Sequence, residues 1–112
     1  YDELLYSVSV VTPFQSPDSY SSLHLYPILL DQGQVNKSRQ QVFKELRASG
    51  IGVNVHYIPV HMQPYYKDRG FKKGDFPKSE NYYKSVISIP LFQSLTKEMQ
   101  DEVVGTLKKI LE

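Results

Sequence analysis

The chain has 112 residues, of which 40% are hydrophobic and 22% are charged, as in a single globular domain. Thirteen Lys and Arg against twelve Asp and Glu leave a net charge of +1, so charge favours neither nucleic acid nor an anionic membrane as a partner. The absence of cysteine excludes disulfides, thiolate zinc sites and a cysteine nucleophile. It fits a reducing cytosol but is equally compatible with other compartments. No apolar run approaches the roughly 20 residues of a membrane helix.

The first residues resemble the interior of a longer protein more than a natural N-terminus. Tyr1 is not an initiator methionine, and neither a basic segment nor an apolar signal-like segment follows it. We therefore expect the chain to begin within a longer, cytoplasmic protein.

The first third of the chain predicts two strands separated by a loop. Tyr1–Leu5 fits the last turn of a helix, and the alternating, β-branched segment Ser7–Val11 predicts a short strand. The Ser- and Pro-rich segment Gln15–Ser22 has the composition of a loop. Ser22–Leu30 predicts a second strand, in which Pro27 lacks an N–H donor and therefore favours an edge position or a bulge.

A helix follows the second strand. Asn36 or Ser38 can cap a helix that continues to Ser49, and Gly50 fits the left-handed position that ends it. The apolar stripe of this helix consists of Val42, Phe43 and Leu46.

The middle of the chain predicts a strand and then a long loop. The period of two over Val53–Ile58 predicts a strand in which His56 points away from the valines. The segment from Val60 to Gly74 predicts a loop with one helical turn at Gln63–Tyr66. Long ordered loops in compact domains are often functional.

The C-terminal third predicts helix, strand and helix. Phe76-Pro77 opens a short helix, and Val86–Leu91 predicts a buried strand that is closed by proline. Thr96 caps a final helix, Lys97–Leu111. Its predicted apolar face comprises Met99, Val103, Leu107, Ile110 and Leu111.

This order of elements predicts an α/β (α+β) fold. We expect a two-layer sandwich in which a small mixed or antiparallel sheet carries helices on one face. We expect residues 1–112 to form a single domain, with a lead-in strand and loop over 1–21 and the α/β core over 22–111. No further element remains to cover the other face of the sheet.

Chemical motifs are sparse apart from one histidine- and tyrosine-rich segment, 56–66. His56 and His61 have neither the helical spacing nor the acidic partner of a zinc motif, and no nucleophile elbow, phosphate loop or dinucleotide fingerprint is present. Imidazoles and phenols on a proline-stiffened loop suit hydrogen bonds to a sugar or phosphate oxygen and stacking on a ring. From the residues alone, a packing loop between domains is an equally good interpretation.

The ordered motifs resemble a known family. Gly50–Tyr66, Phe76–Tyr83, Ile87–Phe92 and the Leu95-Thr96 helix cap together resemble the C-terminal small domain of the DegT/DnrJ/StrS sugar-nucleotide aminotransferases. The resemblance covers roughly Ser22 to Leu111. Within the family it is greatest to the pseudaminic acid biosynthesis enzymes, which aminate the 4-keto carbon of a UDP-linked 4-keto-6-deoxy-N-acetylaltrosamine.

The resemblance implies a fold-type I, pyridoxal-phosphate-dependent enzyme, usually a homodimer, with glutamate as the usual amino donor. It also implies a large domain that carries the Schiff-base lysine. None of the basic residues here stands in that lysine's sequence context, so we expect this chain alone to hold no cofactor and to be inactive.

By the same resemblance, His61, His56 and Tyr57 match residues near the sugar-nucleotide site. They are expected to contact or position the substrate, whereas catalytic, cofactor-binding and metal-binding residues are expected to lie elsewhere.

A different class of function also fits the residues. The chain could act alone as a small α/β ligand-binding or regulatory module without catalysis. An uncovered sheet face with exposed tyrosines favours a piece of a larger enzyme, whereas a covered, monodisperse domain favours the independent module.

Overall fold

The computed structural model describes all residues, 1–112, as a small α+β domain with a three-stranded antiparallel sheet. In chain order its elements are α1 (Asp2–Leu5), β1 (Val10–Val11), β2 (Tyr26–Leu30), α2 (Arg39–Ala48), a 3₁₀ turn (Val60–Met62), α3 (Pro64–Lys67), α4 (Pro77–Ser85), β3 (Val86–Ile89) and α5 (Lys97–Leu111). None of these helices combines the length and the apolar character that crossing a membrane requires.

The strands lie in the order β1-β2-β3, so β2 is central and the edge position predicted for it is wrong. Proline is tolerated in β2 because of where its nitrogen points. Pro27 faces Ser88 of β3, but the N–H and C=O of Ser88 bond to Asn54 on the opposite side. The nitrogen of Pro27 therefore points toward β1, and β1 reaches only Leu29 and Leu30.

One face of the sheet carries the core. Ile28 and Leu30 of β2 and Ile87 and Ile89 of β3 belong to one buried cluster. The helices contribute Leu5 from α1, Val42 and Leu46 from α2, and Val103, Val104, Leu107 and Ile110 from α5. The predicted layer of helices on one face is thereby confirmed. The second face is not bare, because Val86 and Ser88, which alternate with the isoleucines, are also buried.

The predicted helix boundaries are confirmed by their caps. Ser38 and Gln41 form a capping box at the start of α2, and Gly50 follows the helix with a φ of 83°. The hydroxyl of Thr96 accepts a hydrogen bond from the Met99 N–H at the start of α5. On α5, however, Met99 is 44% exposed and Val104 takes its place in the core.

The strand predicted over Val53–Ile58 is wrong. Only Asn54 pairs with β3, through two backbone hydrogen bonds with Ser88 of 3.1 and 2.8 Å. Beyond Asn54 the chain leaves the sheet, and Tyr57 and Ile58 are exposed. The alternating residues thus form a single bridge, at Asn54, followed by an irregular segment on the surface. The histidine- and tyrosine-rich segment 56–66 therefore lies outside the sheet.

The helix α5 offers a matched pair of substitutions that tests this core. Leu107 is fully buried, so Leu107→Ala is expected to lower the free energy of unfolding by about 2–5 kcal/mol through lost burial and a residual cavity. Met99→Ala on the same helix is expected to cost less than about 1 kcal/mol because its side chain is 44% exposed and lies outside the core cluster. Urea unfolding followed by circular dichroism measures both, and equal losses would contradict the assigned core.

Candidate functional site

His56 is fixed by the sheet. Its Nδ1 lies 2.9 Å from the hydroxyl oxygen of Ser88, which is buried on the second face of β3. The imidazole is half-buried, so one side of the ring is held and part of it stays accessible. The bridge between Asn54 and Ser88 places the start of this segment beside the strand.

Tyr57 is the most accessible of the predicted site residues, with 69% of its surface exposed. Its ring meets the His56 ring edge-on, with 4.6 Å between the centroids. The phenol therefore projects into solvent beside a held imidazole, an arrangement that suits contact with a ligand that has both a ring and hydroxyl groups.

His56 also lines an open cleft of about 490 Å³ between the sheet edge and the start of α5. Its walls include Asn54 and Ser88 as polar groups and Phe92, Leu95 and Met99 as apolar ones. A cleft of this volume with a few polar groups in an apolar wall falls within the range of small-molecule sites.

His61 lies in a different environment. Only 6% of its surface is exposed, and its Nε2 is 2.9 Å from Oε1 of Glu80, which is equally buried. The same oxygen accepts the Gly74 N–H at 2.7 Å. An ionised carboxylate can only accept, so Nε2 carries a proton and Nδ1 is the ring nitrogen left outside this bond.

These bonds set the charge of Glu80. The Gly74 N–H, and after it the bond from His61, hold the pKa of the Glu80 carboxyl below its ordinary value, although burial acts in the opposite direction. Glu80 is therefore ionised at neutral pH and forms a buried ion pair whenever His61 is protonated.

A chain of aromatic rings surrounds His61. The Phe76 ring packs against the imidazole at a tilt of 54°, with 4.8 Å between the ring centroids. Contacts continue from Phe76 to Phe71 and from Phe71 to Tyr66, with centroid distances of 6.2 and 6.0 Å. Together with Val60 and Ser79, these residues line an open cavity of about 290 Å³. His61 forms part of its wall, so a ligand in this cavity can reach the imidazole.

The predicted site residues thus lie in two separate places. His56 and Tyr57 lie together near the large cleft, whereas His61 lines the aromatic cavity. Neither Ser88 nor Glu80, the residues that hold the two histidines, stands out in the sequence. A serine inside a strand and a glutamate inside a helix give no distinctive pattern, so only the folded chain identifies them.

The basic residues are less evenly distributed than the overall charge suggests. Five of the thirteen fall between positions 67 and 78, against two acidic residues, and all of them are exposed. The Arg69 guanidinium lies 4.3 Å from the centre of the Tyr65 ring, and none of the five forms a salt bridge with a carboxylate. The aromatic cavity therefore borders a locally cationic segment.

Comparison with known proteins gives consistent results. Residues 1–108 match the DegT/DnrJ/EryC1/StrS aminotransferase family. Spore coat polysaccharide biosynthesis protein SpsC of Bacillus subtilis is 36% identical over 104 residues, which are 91% of this chain and 27% of SpsC. The UDP-4-amino-4,6-dideoxy-N-acetyl-beta-L-altrosamine transaminase of Campylobacter jejuni is 37% identical over 92 residues, 82% of this chain and 24% of that enzyme.

A solved structure matches as well. Spr1654 of Streptococcus pneumoniae, assigned as a sugar aminotransferase and solved in its PLP form, superposes with a TM-score of 0.87 at 28% identity. The match covers 97% of this chain and 28% of Spr1654. The chain therefore spans about a quarter of the length of the relatives it matches.

The two cavities do not fit pyridoxal phosphate by themselves. The cofactor of an aminotransferase needs a lysine for its Schiff base, and neither cavity is lined by a lysine or an arginine. Nor do three or more His, Cys, Asp or Glu side chains come together as metal ligands. What the cavities offer is imidazole, phenol, hydroxyl and apolar surface, which can bind and orient a ligand.

The lowered pKa of Glu80 predicts a pH-dependent contribution to stability. Because the folded-state pKa lies below the ordinary value of 4.5, this contribution is present above pH 4.5 and is lost as the pH falls through the folded-state pKa. The stability advantage of the wild type over Glu80→Gln is therefore expected to shrink from pH 6 to pH 3.

Urea unfolding at several pH values measures this difference. Asn81→Ala, an exposed neighbour on α4 that changes no ionisable group, serves as the control with a constant offset from the wild type. A Glu80→Gln offset that is equally constant would contradict the assigned ionisation of Glu80.

Proposed function

Because the chain belongs to the DegT/DnrJ/EryC1/StrS aminotransferase family, we propose that it is the C-terminal small domain of a pyridoxal-phosphate-dependent sugar-nucleotide aminotransferase. The observation that carries the proposal is the match of residues 1–108, nearly the whole chain, to this family. The Schiff-base lysine and the rest of the cofactor site belong to a large domain outside these residues, and the enzyme acts as a cytoplasmic homodimer with glutamate as amino donor.

In this proposal the segment from His56 to His61 is the small domain's contribution to the substrate site. Tyr57 stacks on or hydrogen-bonds the sugar nucleotide, because its ring is exposed beside a held imidazole. His56 and His61 orient the substrate with the ring nitrogens that Ser88 and Glu80 leave free, Nε2 of His56 and Nδ1 of His61. Proton transfer is left to the cofactor lysine, so the role of this segment is binding and positioning.

The finer proposal concerns the substrate. The C. jejuni relative is named as the transaminase of UDP-4-amino-4,6-dideoxy-N-acetyl-beta-L-altrosamine. Its 37% identity to this chain, together with the histidine segment, supports a UDP-linked 4-keto-6-deoxy sugar as the acceptor, as in pseudaminic acid biosynthesis.

The direct test is transamination by the enzyme that contains this chain. With pyridoxal phosphate, glutamate and the UDP-linked 4-keto-6-deoxy-N-acetylaltrosamine, we expect a 4-amino product by mass spectrometry. UDP-N-acetylglucosamine, which has no keto group, is the control and is expected to remain unchanged. Ligand binding without any amino transfer would contradict the proposal and favour a non-catalytic binding module.

The contribution of His61 can be separated from that of the cofactor. His61→Ala is expected to raise the KM for the sugar nucleotide about tenfold, as for the loss of a buried hydrogen-bonding group, without changing the cofactor's absorbance. His24→Ala, at an exposed histidine outside the segment, is the matched control and is expected to leave KM unchanged. A His61→Ala enzyme with wild-type kinetics would remove His61 from the site.

A further inference from the structure

Glu80 is a buried carboxylate in the first turn of α4, outside the set of proposed substrate-binding residues. Buried carboxylates are rare unless they are paired, because removing a charge from water is costly. Here one oxygen, Oε1, has two donors, His61 Nε2 and the Gly74 N–H. Two hydrogen bonds, from two separate parts of the chain, therefore meet at one buried oxygen atom.

One donor, His61, immediately precedes the segment 62–79, and the other, Gly74, lies within it; the segment has no other buried anchor. Every residue from 63 to 79 is exposed, and Met62 is only half-buried. Apart from the contacts among its aromatic rings, the segment is fastened to the domain through Glu80. Gly74 has a φ of 99°, a conformation that favours glycine, and its N–H points at the carboxylate.

The same oxygen also sets the orientation of an imidazole. Because Glu80 accepts from Nε2, the ring is held in one rotation and its proton is placed on Nε2. The Phe76 ring packs against the imidazole. Phe76 lies one residue before α4, and its carbonyl oxygen accepts a hydrogen bond from the Glu80 N–H. Glu80, His61 and the aromatic wall therefore form one connected unit.

We propose that Glu80 is a positioning residue for the substrate site. Its Oε1 orients His61 and fastens the segment 62–79, whose aromatic rings line the cavity. The inference rests on the proposed function, because it assumes that His61 contacts the sugar nucleotide. It adds a residue on α4 that acts through His61 and Gly74 without touching the substrate.

Two substitutions at position 80 test whether the hydrogen-bond acceptor there is what positions His61 and the segment. Glu80→Gln keeps an Oε1 acceptor for both donors, whereas Glu80→Ala leaves both donors without a partner. In the complete enzyme, Glu80→Ala is expected to raise the KM for the sugar nucleotide about tenfold or more with kcat within about twofold, and Glu80→Gln to stay within about threefold of the wild type. The cofactor absorbance is expected to stay unchanged in both.

A second readout does not require activity. Trypsin cleaves after Arg69, Lys72 and Lys73, which all lie inside the fastened segment. In the 112-residue chain, Glu80→Ala is expected to be cleaved at these positions about tenfold faster than the wild type, because the segment opens more often. Glu80→Gln, which keeps the acceptor but loses the charge, is expected to be cleaved within about threefold of the wild-type rate, and the exposed control Asn81→Ala at the wild-type rate.

Three other outcomes would contradict the positioning role of Glu80. Wild-type cleavage of Glu80→Ala would show that the carboxylate does not fasten the segment, and fast cleavage with an unchanged KM would show that the fastening does not serve the substrate. Glu80→Gln behaving like Glu80→Ala in both assays would exclude acceptor geometry as the cause. A wild-type enzyme that aminates no nucleotide sugar would instead remove the proposed function, while the cleavage rates would still report on the fastening.

Discussion

The strand β3 is the constraint on which the positions of all the candidate site residues depend. Its four residues are buried on both faces, and both of its edges are in use: β2 pairs along one edge and Asn54 bonds to the other. Ser88 on this strand holds His56. α4 ends at Ser85 and β3 begins at Val86, so the helix that carries Glu80 is joined to the strand without a loop.

This arrangement explains how an irregular segment can present defined chemistry. The chain from His56 to Gly74 has few buried residues. Its position is set by the polar contacts of His56 with Ser88 and of His61 and Gly74 with Glu80. Buried, hydrogen-bonded polar groups specify geometry because any other arrangement leaves them unpaired. The two histidines thus line two different cavities, and the exposed Tyr57 packs against His56.

Much of the fold could be predicted from the sequence. The helices α2, α4 and α5 have caps, proline or one-sided apolar stripes, and these local signals are independent of the rest of the chain. The sheet was less predictable, because pairing depends on distant partners. Val53–Ile58 alternates like a strand, yet β3 offers it only the one-residue bridge at Asn54, and Pro27 lies in a central strand because β1 is too short to reach it.

The site was predictable only in part. The histidine- and tyrosine-rich segment stands out in the sequence, but its pattern places His56 and His61 together, whereas the fold separates them. Their partners, Ser88 and Glu80, are 32 and 19 residues away in the chain, so no local spacing indicates them. The cationic stretch over 67–78 was hidden by an overall charge that is close to neutral.

The central claim is that the segment from His56 to His61 forms part of a sugar-nucleotide site. The most direct measurement is a crystal structure of the complete enzyme with its amino-sugar nucleotide bound. The account predicts a side chain of His56, Tyr57 or His61 within hydrogen-bonding or stacking distance of the ligand. A ligand bound wholly by other residues, with this segment facing solvent or a domain interface, would contradict it.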